Sequence, residues 1–226
     1  MLIQVMTTIG ESDCEFIGSG LLAQPVNAVS SLAYAVFGGV VLLGMSKAKG
    51  RERTYRFVFG ILLIATGIGS VLFHGPQGPG SKFLHDVTFL LTLLFIAIMS
   101  ISGLMRWTGR VGWVTFFAAS ALISVLLTAW PSSTNLLAGT AAVVLVASDV
   151  LGHRAGVMRM RWWAGAVVAM GIAVLMFVAG RTGSPLCDSA SLFQGHSLWH
   201  VLSAGALWSY FESTTKARVP DVGDTP

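Results

Sequence analysis

The chain is divided into runs of roughly twenty mostly apolar residues, the length that an α-helix needs to cross a bilayer. Short breaks rich in glycine, proline, serine and charge separate the runs. Only helices and closed barrels satisfy the backbone in lipid, and these runs do not alternate as barrel strands do. The sequence predicts an all-α, polytopic membrane protein with seven transmembrane helices, at about 26–46, 57–75, 85–105, 111–130, 134–152, 162–180 and 195–213.

Composition excludes an ordinary soluble domain. Hydrophobic residues make up 54% of the chain and charged residues only 11%, whereas soluble domains carry about 25% charged residues. No Lys/Arg-rich block with interleaved aromatic residues indicates a nucleic-acid partner. The first residues lack the basic start and apolar stretch of a signal peptide, so the first run is predicted to be retained as a span. The predicted organisation is an N-terminal segment (1–25), a seven-helix domain (26–213) and a tail (214–226).

The basic residues predict the orientation of the chain, because cytoplasmic loops are enriched in Lys and Arg. Seven spans place only Lys82 and Arg181 on one side of the membrane. The N-terminus is therefore predicted to be extracytoplasmic or lumenal, and the C-terminus cytoplasmic. The other twelve of the fourteen basic residues fall on the cytoplasmic side: Lys47, Lys49, Arg51, Arg53, Arg56, Arg106, Arg110, Arg154, Arg159, Arg161, Lys216 and Arg218.

Polar residues inside spans are costly in lipid and are functional candidates. The second span ends in GIGSVLFHG, the third begins with FLHDVTF and the seventh with GHSLWHVLS, and all three of these ends lie on the extracytoplasmic side of a seven-span chain. His196 and His200 are four residues apart, so both rings project from one helix face. Ser70 and His74 have the same spacing on the second span.

This cluster predicts a metal site. His74, His196 and His200 supply three nitrogen ligands and leave a fourth position open, which is the pattern of a catalytic zinc site. Asp86 can then accept or orient a proton from water, and Ser70 can donate a hydrogen bond to a developing oxyanion. The alternative is that the histidines only pack or form hydrogen bonds between helices. We expect this site on the extracytoplasmic side.

Other polar residues have simpler expected roles. His85, beside Asp86 at a helix start, is expected in a loop or supporting position. Asp149 is expected to pair with Arg154, and Glu212 to lie at the membrane interface. The first span carries a stripe, which either packs between helices or supports the metal site; it comprises Asn27, Ser30, Ser31 and Tyr34.

The two cysteines, Cys14 and Cys187, both fall on the side with few basic residues, which should be oxidising. Disulfides persist in such compartments, so a bond between them is one interpretation and two unpaired thiols are the other.

Together these residues resemble the alkaline ceramidases and the wider CREST group of seven-span metal hydrolases, which includes relatives of the adiponectin receptors. The resemblance covers most of the chain. It rests on Cys14–Glu15, AQPVNAVSS, GIGSVLFH, the following Asp86, and GHSLWHVLSAG. The combination of Ser-x-x-x-His, a later Asp and His-x-x-Trp-His is specific, whereas each piece alone is not.

The resemblance implies zinc held by His74, His196 and His200, with Ser70 and Asp86 assisting hydrolysis. The implied substrate is a ceramide-like lipid, cleaved to a sphingoid base and a fatty acid by zinc-activated water, and the implied disulfide joins Cys14 to Cys187. The ceramidases also have an acidic calcium site. Its counterparts here are only Asp13 and Glu15, and Gln24 stands where an acidic residue is expected, which argues against calcium.

Three other functions fit parts of the pattern. A non-enzymatic receptor or sensor would hold a structural zinc, with Asp86 or His85 as a fourth ligand. A membrane cytochrome would use the histidines as haem ligands. An intramembrane serine protease would use Ser70, although Ser70 lacks the Gly-x-Ser-x-Gly setting of an exposed nucleophile.

Overall fold

A computed structural model describes residues 9–154 and 159–214. All regular secondary structure in these two stretches is helical. The α-helices are α1 (Pro25–Ser30), α2 (Leu32–Leu43), α3 (Gly50–His74), α4 (Ser81–Leu104), α5 (Gly109–Ala129), α6 (Thr134–Arg154), α7 (Met160–Ala179) and α8 (Gly195–Ser213), with 3₁₀ turns at Gly44–Lys47 and Pro131–Ser133.

Every predicted run is helical, and the largest difference in boundaries is at the start of α3. This helix begins at Gly50 rather than at 57. Its polar first turns are stabilised because Arg56 Nε donates to Glu52 Oε1 one turn earlier, at 2.9 Å. The guanidinium also reaches across to α8, so a charged stretch that looked like a loop continues the helix.

The first predicted span is interrupted at Ser31. The hydroxyl groups of Ser30 and Ser31 both donate to the carbonyl oxygen of Asn27, at 3.0 and 2.7 Å. Serine side chains that bond the backbone in this way compete with the helical ladder and often bend a helix. Helices α1 and α2 therefore form one bent apolar segment.

Within residues 9–154 and 159–214, six helical segments are long and apolar enough to cross a membrane, which indicates a membrane-embedded protein. Helix α8 is not among them, because His196, His200, Ser203 and Glu212 lower its apolar character. The seventh crossing therefore stays a prediction. The six segments are Pro25–Lys47, Gly50–His74, Ser81–Leu104, Gly109–Ala129, Pro131–Arg154 and Met160–Ala179.

Helices α4, α3, α2, α8 and α7 pack side by side in that order, and a cavity lies between α6 and α7. Helix α3 packs between α2 and α4, α8 packs between α2 and α7, and α6 and α5 pack on α4. Close approach of α2 and α3 depends on Gly38, since a Cβ there would lie 2.7 Å from the carbonyl oxygen of Gly60. Residues of both α6 and α7 line a cavity of about 1600 Å³.

Helix α8 runs antiparallel to α7 along its length. At one end, a Cβ on Gly180 would lie 2.7 Å from the Cα of Gly195. At the other end, the Arg159 amide donates to the carbonyl of Ser213 at 2.9 Å. The two helices therefore occupy the same depth in the bundle.

Two acidic residues have partners that the sequence did not indicate, and for Asp149 the expected pairing is wrong. Glu212 is buried within the protein, because Arg56 binds both of its carboxylate oxygens, at 2.6 and 3.0 Å, and its position at the membrane interface stays a prediction. Asp149 accepts a hydrogen bond from the indole Nε1 of Trp163 on α7, at 3.0 Å, rather than pairing with Arg154. Both partners come from other helices. The predicted tail lies outside the described residues beyond Thr214, and so do Lys216 and Arg218.

Candidate metal centre

Three histidines from two helices converge at one end of the bundle. His74 is the last residue of α3, and His196 and His200 lie one turn apart at the start of α8. All three side chains are buried, and their ring centroids lie 4.6–5.1 Å apart. One nitrogen from each ring lies within 4.8 Å of the other two, so the group can hold a metal ion. The predicted ligand set is thus brought together.

The ring of His74 is held by Gln24, the residue just before α1. His74 Nδ1 lies 2.8 Å from Gln24 Oε1. The amide nitrogen of Gln24 donates to the carbonyl oxygens of Gly10 and Glu15, at 2.9 and 3.0 Å. An amide oxygen can only accept, so the Nδ1 of His74 carries the proton and its Nε2 is left with a free lone pair.

The ring of His200 is held by the bend between α1 and α2. Its Nδ1 lies 3.0 Å from Ser30 Oγ and 3.3 Å from Ser31 Oγ. Because both hydroxyl hydrogens already go to the carbonyl of Asn27, the Nδ1 of His200 must be the donor. Its Nε2 lies 3.4 Å from Ser70 Oγ. The polar stripe of the first span thus supports the histidine cluster.

The ring of His196 faces an ion pair. Its Nδ1 lies 3.6 Å from the carboxylate of Asp13, which accepts from the guanidinium of Arg181 at 2.7 Å. Burial raises the pKa of Asp13 above its usual value, and the charge of Arg181 opposes that shift. A carboxylate beside a histidine ring is a common arrangement behind metal ligands.

The hydrogen-bond pattern tests whether these residues fit a metal. Buried ring nitrogens are normally hydrogen-bonded. Within the described residues, His74 Nε2 and both nitrogens of His196 have no hydrogen-bond partner. Three neutral imidazoles with bare lone pairs in one buried space suit zinc and related transition metals. The residues therefore fit a bound metal better than a set of interhelical hydrogen bonds.

Ser70 lies one turn before His74 on α3 and beside the ring of His200. Its hydroxyl is buried and lies 2.8 Å from Ser31 Oγ. The hydrogen of Ser31 is bound to the Asn27 carbonyl, so Ser70 donates to Ser31 in this state. Ser70 also lines the cavity, where a turn of its hydroxyl would aim the same hydrogen at a bound molecule.

Asp86 lies on α4 at the same end of the cavity, but it is not one of the three grouped ligands. Its carboxylate contacts Lys82 Nζ, His85 Nδ1 at 2.8 Å and Thr134 Oγ1 at 2.7 Å. The ring centroid of His85 lies 6.2 Å from that of His74. His85 lies in α4 rather than in a loop, and its supporting role at the histidine cluster stays a prediction.

The cavity extends from this polar end into an apolar interior. It reaches from Ser70, Asp86 and His196 to Asp149 and Tyr210, near the opposite ends of α6 and α8. Tyr210 follows His196 by fourteen positions on α8, which corresponds to about 21 Å of helix. The long side is lined by alanine, valine, leucine and methionine from α6 and α7. The shape suits an elongated apolar ligand with its polar group at the histidines.

Residues 9–16 lie over the histidine end. Cys14 and Cys187 form a disulfide, which confirms that interpretation of the two cysteines. The Cys14 amide donates to Thr182 Oγ1 at 3.1 Å, and the Phe16 amide donates to the carbonyl of Ser189 at 3.0 Å. Residues 9–13 consequently line the cavity beside the histidines.

Glu15 caps the first helix. Its carboxylate oxygens accept from the amides of Val26 and Asn27, at 2.7 and 2.8 Å. A carboxylate at a helix N-terminus satisfies free amides and interacts favourably with the helix dipole. Asp13 is bound to Arg181 and Glu15 to α1, so both acidic residues near a conceivable calcium site have protein partners.

Two residues of this end had no site role in the sequence interpretation. Gln24 was noted only as a residue at an acidic position, and its contact with His74 depends on the fold. Arg181 offered a signal, because it is one of only two basic residues on the predicted extracytoplasmic side. Lys82 is the other, and both form ion pairs with carboxylates that line the cavity.

Comparison with protein-family models and with curated proteins finds no match for this chain. The resemblance to alkaline ceramidases therefore rests on the residues quoted above.

Proposed function

We propose that the protein is a zinc-dependent intramembrane hydrolase of a lipid amide, with a ceramide-like substrate. The observation that carries this proposal is the convergence of three buried imidazoles with unpartnered nitrogens at the polar end of a long apolar cavity. The motif resemblance to alkaline ceramidases supports the same chemistry.

In this proposal α8 is the seventh span. Its support is the antiparallel packing of α8 along α7, which itself is apolar enough to cross the membrane. Its polar residues face protein: His196, His200 and Glu212 are all buried. Seven crossings then place the histidine end on the extracytoplasmic or lumenal side, with the tail in the cytoplasm.

Thiol labelling tests this topology. Single cysteines replace Lys49, Pro79 and Lys216, and a membrane-impermeant maleimide is applied to sealed vesicles of known orientation. Lys49→Cys and Lys216→Cys should react from the cytoplasmic face and Pro79→Cys from the other. A tail that labels together with Pro79→Cys would contradict a seventh crossing.

The substrate in this proposal lies with one hydrocarbon chain between α6 and α7. Both helices present apolar side chains to the cavity, and others, for example Val143 and Val168, are exposed on the outside of the bundle, where lipid would lie. The helices are linked near one end by the hydrogen bond from Trp163 to Asp149. Burial of the chain positions the amide carbonyl at the histidines, and the ring of His85 and the Asp86 carboxylate lie beside it.

When bound, zinc would supply a Lewis acid that polarises the amide carbonyl and lowers the pKa of water. The water oxygen attacks the carbonyl carbon, and Asp86 takes up the proton that the water loses. Ser70 donates a hydrogen bond to the oxygen that becomes negative. The carbon–nitrogen bond then breaks, and the leaving nitrogen receives the proton from Asp86, which gives an amine and a fatty acid.

Metal content and lipid hydrolysis test the proposal together. Detergent-purified wild type and His200→Ala are analysed by mass spectrometry for metals, and then incubated with a long-chain ceramide. About one zinc per chain and release of fatty acid, both lost in the variant, are expected. Zinc without hydrolysis of any lipid amide would favour the receptor interpretation, and a folded wild type without zinc would refute the mechanism.

A further inference from the structure

Gln24 contacts the histidine cluster but is not one of the proposed metal ligands. Its side chain is fully buried and bridges three parts of the chain: the N-terminal segment, the start of α1 and the end of α3. The backbone of Gln24 also donates to the carbonyl of His74, at 2.8 Å. The side chain and the backbone of Gln24 therefore both form hydrogen bonds with His74.

The orientation of the Gln24 amide is determined by its neighbours. Its nitrogen faces two backbone carbonyls, from Gly10 and Glu15, which can only accept hydrogen bonds. Reversing the amide would place its oxygen against both carbonyls and its nitrogen against His74. Only one orientation satisfies all three contacts, so the oxygen faces the imidazole.

The fit at Gly10 keeps the amide in place. Gly10 has a φ of +76°, and a Cβ there would lie 2.3 Å from Gln24 Oε1. A side chain at position 10 would therefore displace the oxygen that receives the His74 proton. The N-terminal segment and Gln24 thus form one support behind the ring.

We propose that Gln24 is a positioning residue for the metal centre, which fixes His74 as the tautomer that presents Nε2 to the metal. This inference rests on the proposed metal site, although it does not require that the bound metal hydrolyse a lipid. Partners behind metal-binding histidines orient the ring and increase its basicity. Gln24 does so with a neutral amide, whose two donors anchor it to the covering segment.

The test measures metal affinity of the full-length protein in detergent. Gln24→Met keeps the size of the side chain and removes the acceptor, whereas Gln24→Glu keeps an oxygen that faces the ring. Zinc affinity, measured by competition with a chromophoric chelator, should fall about 10- to 100-fold in Gln24→Met. It should fall less in Gln24→Glu, which keeps the acceptor for His74 but loses the two hydrogen bonds to the carbonyls of Gly10 and Glu15. The visible d–d spectrum of the cobalt-loaded protein should change in Gln24→Met.

Gln194 offers a matched control. It is also buried and precedes a helix, and its amide nitrogen also donates to two backbone carbonyls, those of Asp188 and Ser191. Gln194→Met should lose comparable thermal stability as the metal-free protein but keep the wild-type cobalt spectrum and zinc affinity. Wild-type zinc affinity in Gln24→Met, or an equal loss of affinity in Gln194→Met, would overturn the proposal.

A second measurement needs no position-24 variant. The chain has five histidines, so ¹⁵N-histidine labelling gives a simple spectrum, in which the signals of His74 are those missing from His74→Asn. In the metal-free wild type at neutral pH, Nδ1 of His74 should be protonated and Nε2 bare. The opposite tautomer refutes the role of Gln24 even if the protein binds zinc, and a wild type that binds zinc without hydrolysing lipids leaves this test intact.

Discussion

The two ends of the helical bundle both bury polar side chains, but they satisfy them differently. At the arginine end (Glu52, Arg56 and Glu212), one guanidinium binds two carboxylates. At the histidine end (His74, His196 and His200), the back of each ring faces a protein group, and two rings retain nitrogens without a partner.

This difference separates a structural contact from a binding site. The buried ion pair of Arg56 and Glu212 is self-sufficient, since each charge meets its opposite and several hydrogen bonds. At the histidine end, protein groups hydrogen-bond the Nδ1 atoms of His74 and His200, whereas His74 Nε2 and both nitrogens of His196 have no hydrogen-bond partner among the described residues. A buried polar group that lacks a partner is costly, and a ligand that supplies the missing contacts removes that cost.

The largest expected effect is the loss of a histidine. In His200→Ala, zinc content should fall from about one ion per chain to nearly none, because two imidazoles do not replace a three-ligand site. Metal analysis after purification measures this. The control is His153→Ala, which removes an exposed histidine and should retain zinc. Full zinc occupancy in His200→Ala would show that the three histidines are not the zinc site, and the histidine end would then not differ from the arginine end as a binding site.

At the arginine end, Glu212→Ala should lower the free energy of unfolding by about 3–5 kcal/mol, since it leaves a buried guanidinium without its main partner. Unfolding in mixed detergent micelles measures this, and zinc stoichiometry should not change. The double variant Arg56→Met/Glu212→Leu should recover most of the stability. A loss of zinc in a folded Glu212→Ala protein would show that the two ends are coupled.

Ser70→Ala tests whether the histidine end is catalytic as well as metal-binding. Removing one donor to a developing oxyanion costs about 10²- to 10³-fold in turnover, and zinc should remain bound. Ser100→Ala is the control, because Ser100 is also buried but lies outside the cavity lining. Equal turnover of the wild type and Ser70→Ala would exclude the oxyanion role.

The smallest effect is expected from Cys14→Ser/Cys187→Ser. Loss of the disulfide should cost about 2 kcal/mol of stability, toward the low end of the usual range, because helices in a membrane stay partly ordered when unfolded. Thermal unfolding compares the variant with wild type. Because the bond holds the segment that carries Asp13 close to His196, zinc affinity should weaken as well; unchanged affinity would show that the other contacts of the segment are sufficient.

The sequence pattern alone was sufficient to predict the helices and the three histidines of the candidate metal site. The apolar runs predicted all the helical segments, because a backbone in lipid has few other ways to satisfy its hydrogen bonds. The i,i+4 spacing of His196 and His200 placed both rings on one face, and the charge pattern brought His74 to the same end. Asp86 lines the same cavity as the histidines. Its contact with Lys82 follows from their i,i+4 spacing, whereas its contact with Thr134, on another helix, does not.

Only the tertiary structure decided which groups support the site. Gln24 reaches His74 and Arg56 reaches Glu212 across fifty and more than a hundred positions of sequence, and neither spacing follows a helical repeat. Asp149 likewise bonds Trp163 on another helix rather than its charged neighbour. Local sequence determines which face of a helix a side chain occupies, because helical geometry is periodic. Which partner that face meets depends on how the helices pack, and that is a property of the whole chain.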